Sequence, residues 1–461
     1  MASIVQFVDS IAASPTVRLD LNSASSGWMI DYEREVDISP PSLRYAIAST
    51  MLQDGDHIAA SSFENRVLKL PIKLVYTATT DAAATAIQSL GRELNRPMNI
   101  VKLQLDGATS PVFFRIFRSS YAMSMLRLWL KENTTITLEL PTEYAGYGLL
   151  ETPVSAVTVS TDPAAVSNGC FVDVTGVKGD VEAPAIISFP GSAIGIGAQT
   201  LTAARRRGTP ANLPFFVQAE AMTQGTNTTT QPNDANFSGA GNNYSRCTFA
   251  SAGVLTRLSV TTLGTSGVDL RGHYRVFMRY RKNTSSDAIN LHLLWGDSPS
   301  KIQNDDYVTP NNTSFMTADL GLISIPFGID PVHGSDGVES SVSNVINIEL
   351  RAERTSGSGT MDFDFLVFVP ADDRLAITEW ENALETQVLE ARDNRVYVRD
   401  GSNRIVSGDP PHIVGGFPML SPGQTNRIFL IRNVAVWSLT TMSSVSVSYH
   451  PRYLSVRPAS T

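Results

Sequence analysis

Carboxylates standing in pairs are the residues of this sequence that could do chemistry. Asp305 and Asp306 are adjacent, as are Asp372 and Asp373, while Asp362 and Asp364 stand two apart in DFDFLVFV. Two carboxyl groups across a cleft can divide the acid and base roles of glycoside hydrolysis, or hold a cation. Residues two apart on a strand share a face, so Asp362 and Asp364 would lie together with Phe363 and Phe365 opposite. The plainer expectation is a solvated strand face for that pair and turns for the adjacent ones. The six histidines (His57, His273, His292, His333, His412, His450) are scattered, with no pair at i, i+4 and none at ligand spacing from Cys or Glu. His292, inside INLHLLW, is expected to be a hydrogen-bonded structural residue. Gly195 and Gly197 lack the third glycine of a dinucleotide fingerprint. Neither a P-loop nor a G-x-S-x-G elbow occurs, so the reading is of a chain that is not an enzyme and carries no metal or cofactor.

A second group of residues suits recognition. Tyr244, Trp295 and Tyr307 lie in loop-rich sequence near Asn243, Asp297, Asn304 and Asp305. Sugar sites combine an aromatic platform for the C–H face of a ring with nearby carboxamides and carboxylates. These three aromatics are therefore the glycan-binding candidates, although Trp295 ends an alternating strand and could equally plug a core. Arg205, Arg206 and Arg207 form the sharpest basic cluster, expected as a solvated linker or an inter-domain contact, with a site for an anionic partner as the alternative.

Composition bounds the rest. The chain has 461 residues, of which 42% are apolar and only 17% charged, with a net charge of −8. An acidic balance argues against binding nucleic acid through its phosphates and is compatible with a surface past which DNA slides. Two cysteines, Cys170 and Cys247, supply neither a disulfide framework nor a zinc site. Neither a convincing signal peptide nor a membrane span is legible. The N-x-S/T triplets at Asn133, Asn227, Asn236, Asn243, Asn283 and Asn312 read as polar loop composition. A soluble protein made in a reducing compartment is expected.

The elements that must position these residues are mostly strands. RVLKLPIKLVY (66–76) alternates, with Leu68, Leu70, Ile72, Leu74 and Tyr76 on one face and Val67, Lys69, Pro71, Lys73 and Val75 on the other. A proline inside a strand points to a sheet edge. Ala83, Ile87, Leu90 and Leu94 then recur at helical spacing, with Asp81 in the first turn and Pro97 beyond the end. From Phe215 to about Pro370 the candidates are all strands separated by Ser/Gly/Asn loops, the pattern of a β-sandwich or jelly roll. The stretch 203–214 reads as a boundary. Within 374–395, RLAITEW alternates like a strand, ENALETQVLEAR is open between helix and strand, and a hairpin follows around Asp400–Asn403.

Several stretches together carry a family resemblance. They are ENRVLKLPIKL through the helix to KLQLDGA, then TITLELPTEYAGYG, VTGVKGDVEAPAIISF, and finally FPMLSPGQTNRIFL with SVSVSYHPRYL. In this order they resemble the distal tail proteins and related minor tail proteins of long-tailed, non-contractile phages. The PG-x-x-N and Y-x-PR-x-L segments are the most suggestive. GHYRVFMRYR, LLWGD, DLGLISIP and FLVFVPADDRL are similar to the carbohydrate-binding-type sandwiches inserted in some members. The resemblance implies a mainly β chain divided into a tail-tube-like ring domain with one helix (1–150), a galectin-like sandwich in two parts (151–210 and 374–461), and an inserted jelly roll (211–373). It implies a virion protein, made in the host cytoplasm, forming a homo-hexameric ring between the tail tube and the hub or tip proteins, with DNA passing through unbound. Val67, Lys69, Lys73 and Val75 would then face a neighbouring subunit, though a strand shielded by its own loops would read the same way. Two other roles stay open: an adhesin binding host-surface glycan, and a polysaccharide depolymerase.

Overall fold

The computed structural model describes residues 3–49, 56–75, 80–119, 135–159, 171–189, 198–207, 216–234, 236–237, 241–263, 272–296, 302–325, 346–371, 374–379, 385–402, 404–406, 413–434 and 442–456. Tyr76, Asn133, Cys170, Gly195, Gly197, Asp297, His333, Asp372, Asp373, Asn403 and His412 lie outside them. The fold is mainly β, with one α-helix among the described residues. The chain forms two compact units: Met1–Glu151, Val177–Ala183 and Tyr449–Thr461 in the first, Thr152–Gly176 and Pro184–Ser448 in the second.

The first unit is built on a nine-stranded sheet whose main path runs Val17–Asp20, Ile4–Val8, Asn99–Gln104, Val112–Ile116, Thr135–Thr142, Arg66–Leu74 and Trp28–Ile30. Leu68, Leu70, Ile72 and Leu74 point into its core with Val101, Leu103, Ile136, Leu138 and Leu140, as a side-chain period of two requires. The helix Thr80–Leu94 lays Ala83, Ala86, Leu90 and Leu94 on this core, with Ile87 half-buried beside them. Each fully buried leucine contributes about 2 kcal/mol. Trp28 is buried under the helix, its Nε1 donating to the Ala86 carbonyl at 3.3 Å. Gly27, at φ +80°, brings the chain so close that a Cβ there would lie 2.9 Å from the Ala86 methyl, so only glycine meets both demands.

Pro71 does not mark an edge. The strand Arg66–Leu74 is flanked by Thr135–Thr142 on one side and Trp28–Ile30 on the other. A residue in an antiparallel ladder points its N–H and C=O to the same side. The Pro71 carbonyl accepts from Asp31 N at 2.9 Å, one residue past the end of the flanking strand. The donor that proline lacks would thus point to where that neighbour stops, and no ladder bond is lost.

The second unit holds four larger sheets. One runs Glu151–Val159, Met442–Tyr449, Ala183–Phe189, Thr386–Glu390 and Arg395–Arg399; another runs Phe171–Val174, Asn426–Val434, Ala198–Arg207, Arg374–Glu379 and Ile413–Gly415. The stretch expected as a boundary at 203–214 therefore begins inside a central strand. Arg205 is fully buried, donating from Nη1 to Ser421 Oγ at 3.0 Å, and is not a solvated linker residue. In the ambiguous stretch, Thr386–Glu390 is a strand paired on both sides. Its good helix formers are overridden because Val388 and Leu389 are buried by those neighbours. The turn after Arg399 closes as a hairpin through the bridge Arg399 to Ile405, with Asp400 N donating to the Arg404 carbonyl at 2.9 Å and Val406 N to that of Val398 at 2.8 Å.

The remaining two sheets form the inserted sandwich. One runs Thr228–Gln231, Tyr244–Thr248, Thr360–Pro370, Gly272–Lys282 and Met316–Ile325; the other runs Thr223–Gln224, Leu255–Leu263, Ile346–Ser356, Ala288–Gly296 and Ile302–Gln303. Ile289, Leu291 and Leu293 on one and Phe363, Phe365 and Val367 on the other are fully or almost fully buried, at the period of two expected of strands lining a core.

Candidate binding cleft and assembly surfaces

The inserted sandwich carries an open cleft of about 470 Å3 whose walls come from two irregularities in strand pairing. After Gly296 the chain returns along Ala288–Gly296 twice, pairing Gln303 with Leu294 and then Tyr307 with Leu291. Asn304, Asp305 and Asp306 bow out between those two pairings. The second wall arises where Val276 alone faces Leu320 and Gly321 in the ladder between Gly272–Lys282 and Met316–Ile325. Such a bulge re-aims side chains, here setting Arg275 and Asp319 on the cleft. Gly321 takes φ +86°, and a Cβ there would press on Asn304 at 3.0 Å.

The lining is held rigidly. Arg275 donates from Nε to Asp319 Oδ2 at 2.8 Å and from Nη2 to the same oxygen at 2.7 Å. Asn304 is a strut with both ends used: its Oδ1 accepts from Trp295 Nε1 at 2.9 Å and its Nδ2 donates to the Leu320 carbonyl at 2.7 Å. Asp306 Oδ1 lies 2.6 Å from His292 Nδ1 and accepts from Gln303 Nε2 at 3.1 Å. Tyr307 meets Tyr280 edge to face at 6.3 Å. Burial raises the Tyr307 pKa above the ordinary tyrosine value; the Tyr280 hydroxyl works against that, and the Asp319 charge adds to it. Asp305 is exposed and makes no hydrogen bond or ion pair among the described residues.

The glycan candidates are thus not one cluster. Tyr307 lines the cleft, Trp295 stands behind it as the donor to Asn304, and Tyr244 lies on the other sheet. There Tyr244 is buried, stacked on Phe237 at 3.9 Å and 9°, with its hydroxyl accepting from Arg246. Arg275 and Asp319 were not singled out from sequence; nothing marks a pairing bulge in a run such as DLGLISI except the glycine inside it.

Asp362 and Asp364 correct the expectation of a solvated strand face: both are fully buried. Asp362 accepts from Arg246 Nε at 2.6 Å, Arg246 Nη2 at 2.9 Å and Arg281 Nε at 3.1 Å. Asp364 is paired with the buried Arg279. The face is sealed by Phe237 and Phe315, over which the guanidinium groups stack: Arg279 lies 4.1 Å from the Phe315 ring centre, and Arg281 lies 4.9 Å from that of Phe237. Carboxylates so buried and paired with arginine are not presented to a substrate. His292 is buried and hydrogen bonded, and no group of three His, Cys, Asp or Glu among the described residues could hold a metal ion.

In the first unit, the strand Arg66–Leu74 keeps part of its second face open. Val67 is 43% exposed, while Lys69 reaches Glu139 at 3.9 Å and its backbone bridges to Asp37; Lys73 and Val75 are half-buried and Pro71 is covered. Outside the nine-stranded sheet stands a two-stranded hairpin, Leu43–Ser49 with Asp56–Phe63, which pairs with no third strand among the described residues. Tyr45 is 53% exposed, and Phe63 stacks on Tyr144 at 5.6 Å.

Three of the stretches that carry the family resemblance meet in this unit. Gly146–Tyr147 pairs with Arg452–Tyr453, and Gly148 N donates to Pro451 O at 2.7 Å. Asp180 N donates to Arg452 O at 2.8 Å, and its carboxylate accepts from Leu454 N at 2.8 Å. The Arg452 guanidinium stacks on Tyr144 at 4.5 Å. In the second unit, the PG-x-x-N segment is a turn: Gly423 takes φ +69°, and buried Asn426 accepts from Ser421 N and donates back to Ser421 O.

No family model and no curated protein matches the chain. Among solved structures, the chain is similar to the Dit protein of SPP1, described as a paradigm of the hub adsorption apparatus of phages infecting Gram-positive hosts, at 8% identity over 98% of this chain and 99% of that one, with a TM-score of 0.34. It is also similar to the phage P2 baseplate in its activated conformation with Ca, at 9% identity over 80% and 98% and a TM-score of 0.25. A third similarity is to TmCBM61 in complex with β-1,4-galactotriose, at 10% identity over 36% and 92% and a TM-score of 0.21. Overlaps with TM-scores below one half decide neither family nor function. Among the described residues no helix is long and apolar enough to cross a membrane.

Proposed function

We propose that the chain is a structural protein of a phage tail, forming a homo-hexameric ring that joins the tail tube to the hub or tip proteins. The observation that carries this reading is the hairpin Leu43–Ser49 and Asp56–Phe63, exposed and outside the sheet of its own unit. A lone two-stranded hairpin is marginal in water, and open strand edges invite pairing with another chain. A closed ring gives every copy a neighbour and leaves no free end. Val67, Lys69, Lys73 and Val75 belong to the same reading as residues facing a neighbour. The order of the quoted stretches supports it, since the segments of the resemblance serve each other's hydrogen bonds. In this reading the chain is not an enzyme, and its acidic balance suits a channel through which DNA passes without being held.

Native mass spectrometry of the purified chain at micromolar concentration tests the proposal. A dominant species at six times the monomer mass is expected, and Tyr45→Asp with Val67→Asp should reduce it to monomer. A chain that stays monomeric both alone and with purified tail tubes sinks the ring.

A further inference from the structure

The cleft of the inserted sandwich lies between two sheet edges. Met316–Ile325 is the last strand of one sheet, and Ile302–Gln303 with Tyr307–Val308 stands outermost on the other. We infer that the cleft is a docking site for an extended segment of a partner protein bearing a lysine or arginine. The basic side chain enters the cleft while the backbone of the segment runs along the free edge of Met316–Ile325. This role goes beyond the ring and does not depend on it.

The free edge calls for a backbone. Met316–Ile325 pairs with Gly272–Lys282 and with no other strand among the described residues. In an antiparallel ladder every second residue turns its N–H and C=O away from the partner, so the strand presents main-chain groups on its open side. At the Leu320 carbonyl a side-chain amide, Asn304 Nδ2, stands where a neighbouring backbone N–H would. An extended segment continues that pattern past Gly321, as in strand addition to other sheet edges. Asn304 is tied at both ends, so the segment meets a wall already in shape. Around the cleft, Ile302 (55% exposed) and Val308 (66%) bracket the lining segment 303–307, and Leu322 (51%) stands on the facing wall. Large apolar side chains gathered in water around one cleft mark a contact surface for protein.

Charge selects the occupant. Asp305, Asp306 and Asp319 line the cleft against one guanidinium, Arg275, which is already engaged by Asp319. Asp305 is exposed and unpartnered among the described residues. A lysine fits this arrangement, with its alkyl stem on Tyr307 and Leu322 and its ammonium donating to Asp305. The same carboxylates turn an acidic segment away.

Fluorescence anisotropy of labelled octapeptides titrated with the full-length chain tests the inference. The parent probe alternates threonine and valine around one central lysine. Its counterparts carry glutamate or norleucine at the centre, or keep the lysine and have every second backbone amide methylated, in either alternation. The lysine probe should bind saturably and more weakly as salt is raised, and the glutamate probe about tenfold more weakly or worse. One of the two methylation patterns should abolish binding. Asp305→Asn should weaken the lysine probe about fivefold and leave the norleucine probe unchanged, while Leu322→Ser should weaken both, circular dichroism reporting that each variant is folded. Should Leu322→Ser misfold, Asp305→Asn and the methylated probes decide. Absence of saturable binding by the lysine probe, equal affinity for the glutamate probe, or indifference to Asp305→Asn each overturns the inference. So does binding that survives both methylation patterns, or free lysine amide binding as tightly as the peptide, since either would leave a bare cation site. Native mass spectrometry of the same variants should show an unaltered oligomer, so failure of the docking site and failure of the ring are separate results.

Discussion

The inserted sandwich holds two groups of aspartates with opposite fates. Asp362 and Asp364, on the strand Thr360–Pro370, are sealed beneath Phe237 and Phe315 and matched by Arg246, Arg279 and Arg281. Asp305, Asp306 and Asp319 stand on an open cleft where, among the described residues, carboxylates outnumber the single arginine. The residue type is the same; what differs is the cover. A strand in the middle of a sheet acquires neighbours on both edges, and here aromatic side chains close its outer face, so a charge there survives only with a partner. On the cleft, Asp305 stays in water without a partner among the described residues, while Asp306 and Asp319 keep His292 and Arg275 beside them.

That contrast can be broken from either side. The largest effect should follow Arg279→Met, which leaves Asp364 charged, buried and without its guanidinium, costing about 3–5 kcal/mol in the unfolding of the sandwich. Chemical denaturation followed by tryptophan fluorescence measures it. Adding Asp364→Leu should recover most of the loss, and a double variant as unstable as the single would mean that the pair is not the cause. Asn304→Ala should come next. It strips the Trp295 indole and the Leu320 carbonyl of their partner, for about 1–3 kcal/mol, and amide hydrogen exchange should quicken around 302–308 while the strand Thr360–Pro370 stays protected. On the sealed side, Cys247 lies opposite Met361, next to Asp362, and burial pushes its thiol up to about 12. In a Cys170→Ser chain it should resist alkylation at pH 8 until denaturant is added, because the thiolate is scarce and the site is closed. The smallest effect is expected at Asp305→Ala, within about 0.5 kcal/mol of the parent. A larger loss would show that this carboxylate has a structural task.

The sequence showed the outline of this more clearly than its detail. Alternation in RVLKLPIKL and the helical spacing of Ala83, Leu90 and Leu94 were legible because one buried face imposes its period on the side chains. Pro71 suggested an edge because sequence does not reveal where a neighbouring strand stops. Thr386–Glu390 was open between helix and strand because its residues tolerate both, and pairing on two sides decided the matter. The three glycan candidates were chosen by type. The cleft that contains Tyr307 is made by two pairing irregularities, and these have no composition of their own. For Tyr244 the missing information was Phe237, seven residues earlier, whose ring covers it. Arg205 read as part of a charged linker since a buried arginine and an exposed one are spelled alike.

The pairing of Gly146–Tyr147 with Arg452–Tyr453 has a consequence in time as well as in space. About three hundred residues separate the two segments, and most of them belong to the other unit. On a ribosome, which releases the chain from its N-terminus, the first unit waits with its sheet unfinished while Thr152–Gly176 and Pro184–Ser448 emerge and fold. The unit becomes whole only when Arg452 is delivered. Completion of the first unit is thereby coupled to the completion of translation: truncated products lack the segment that finishes its sheet.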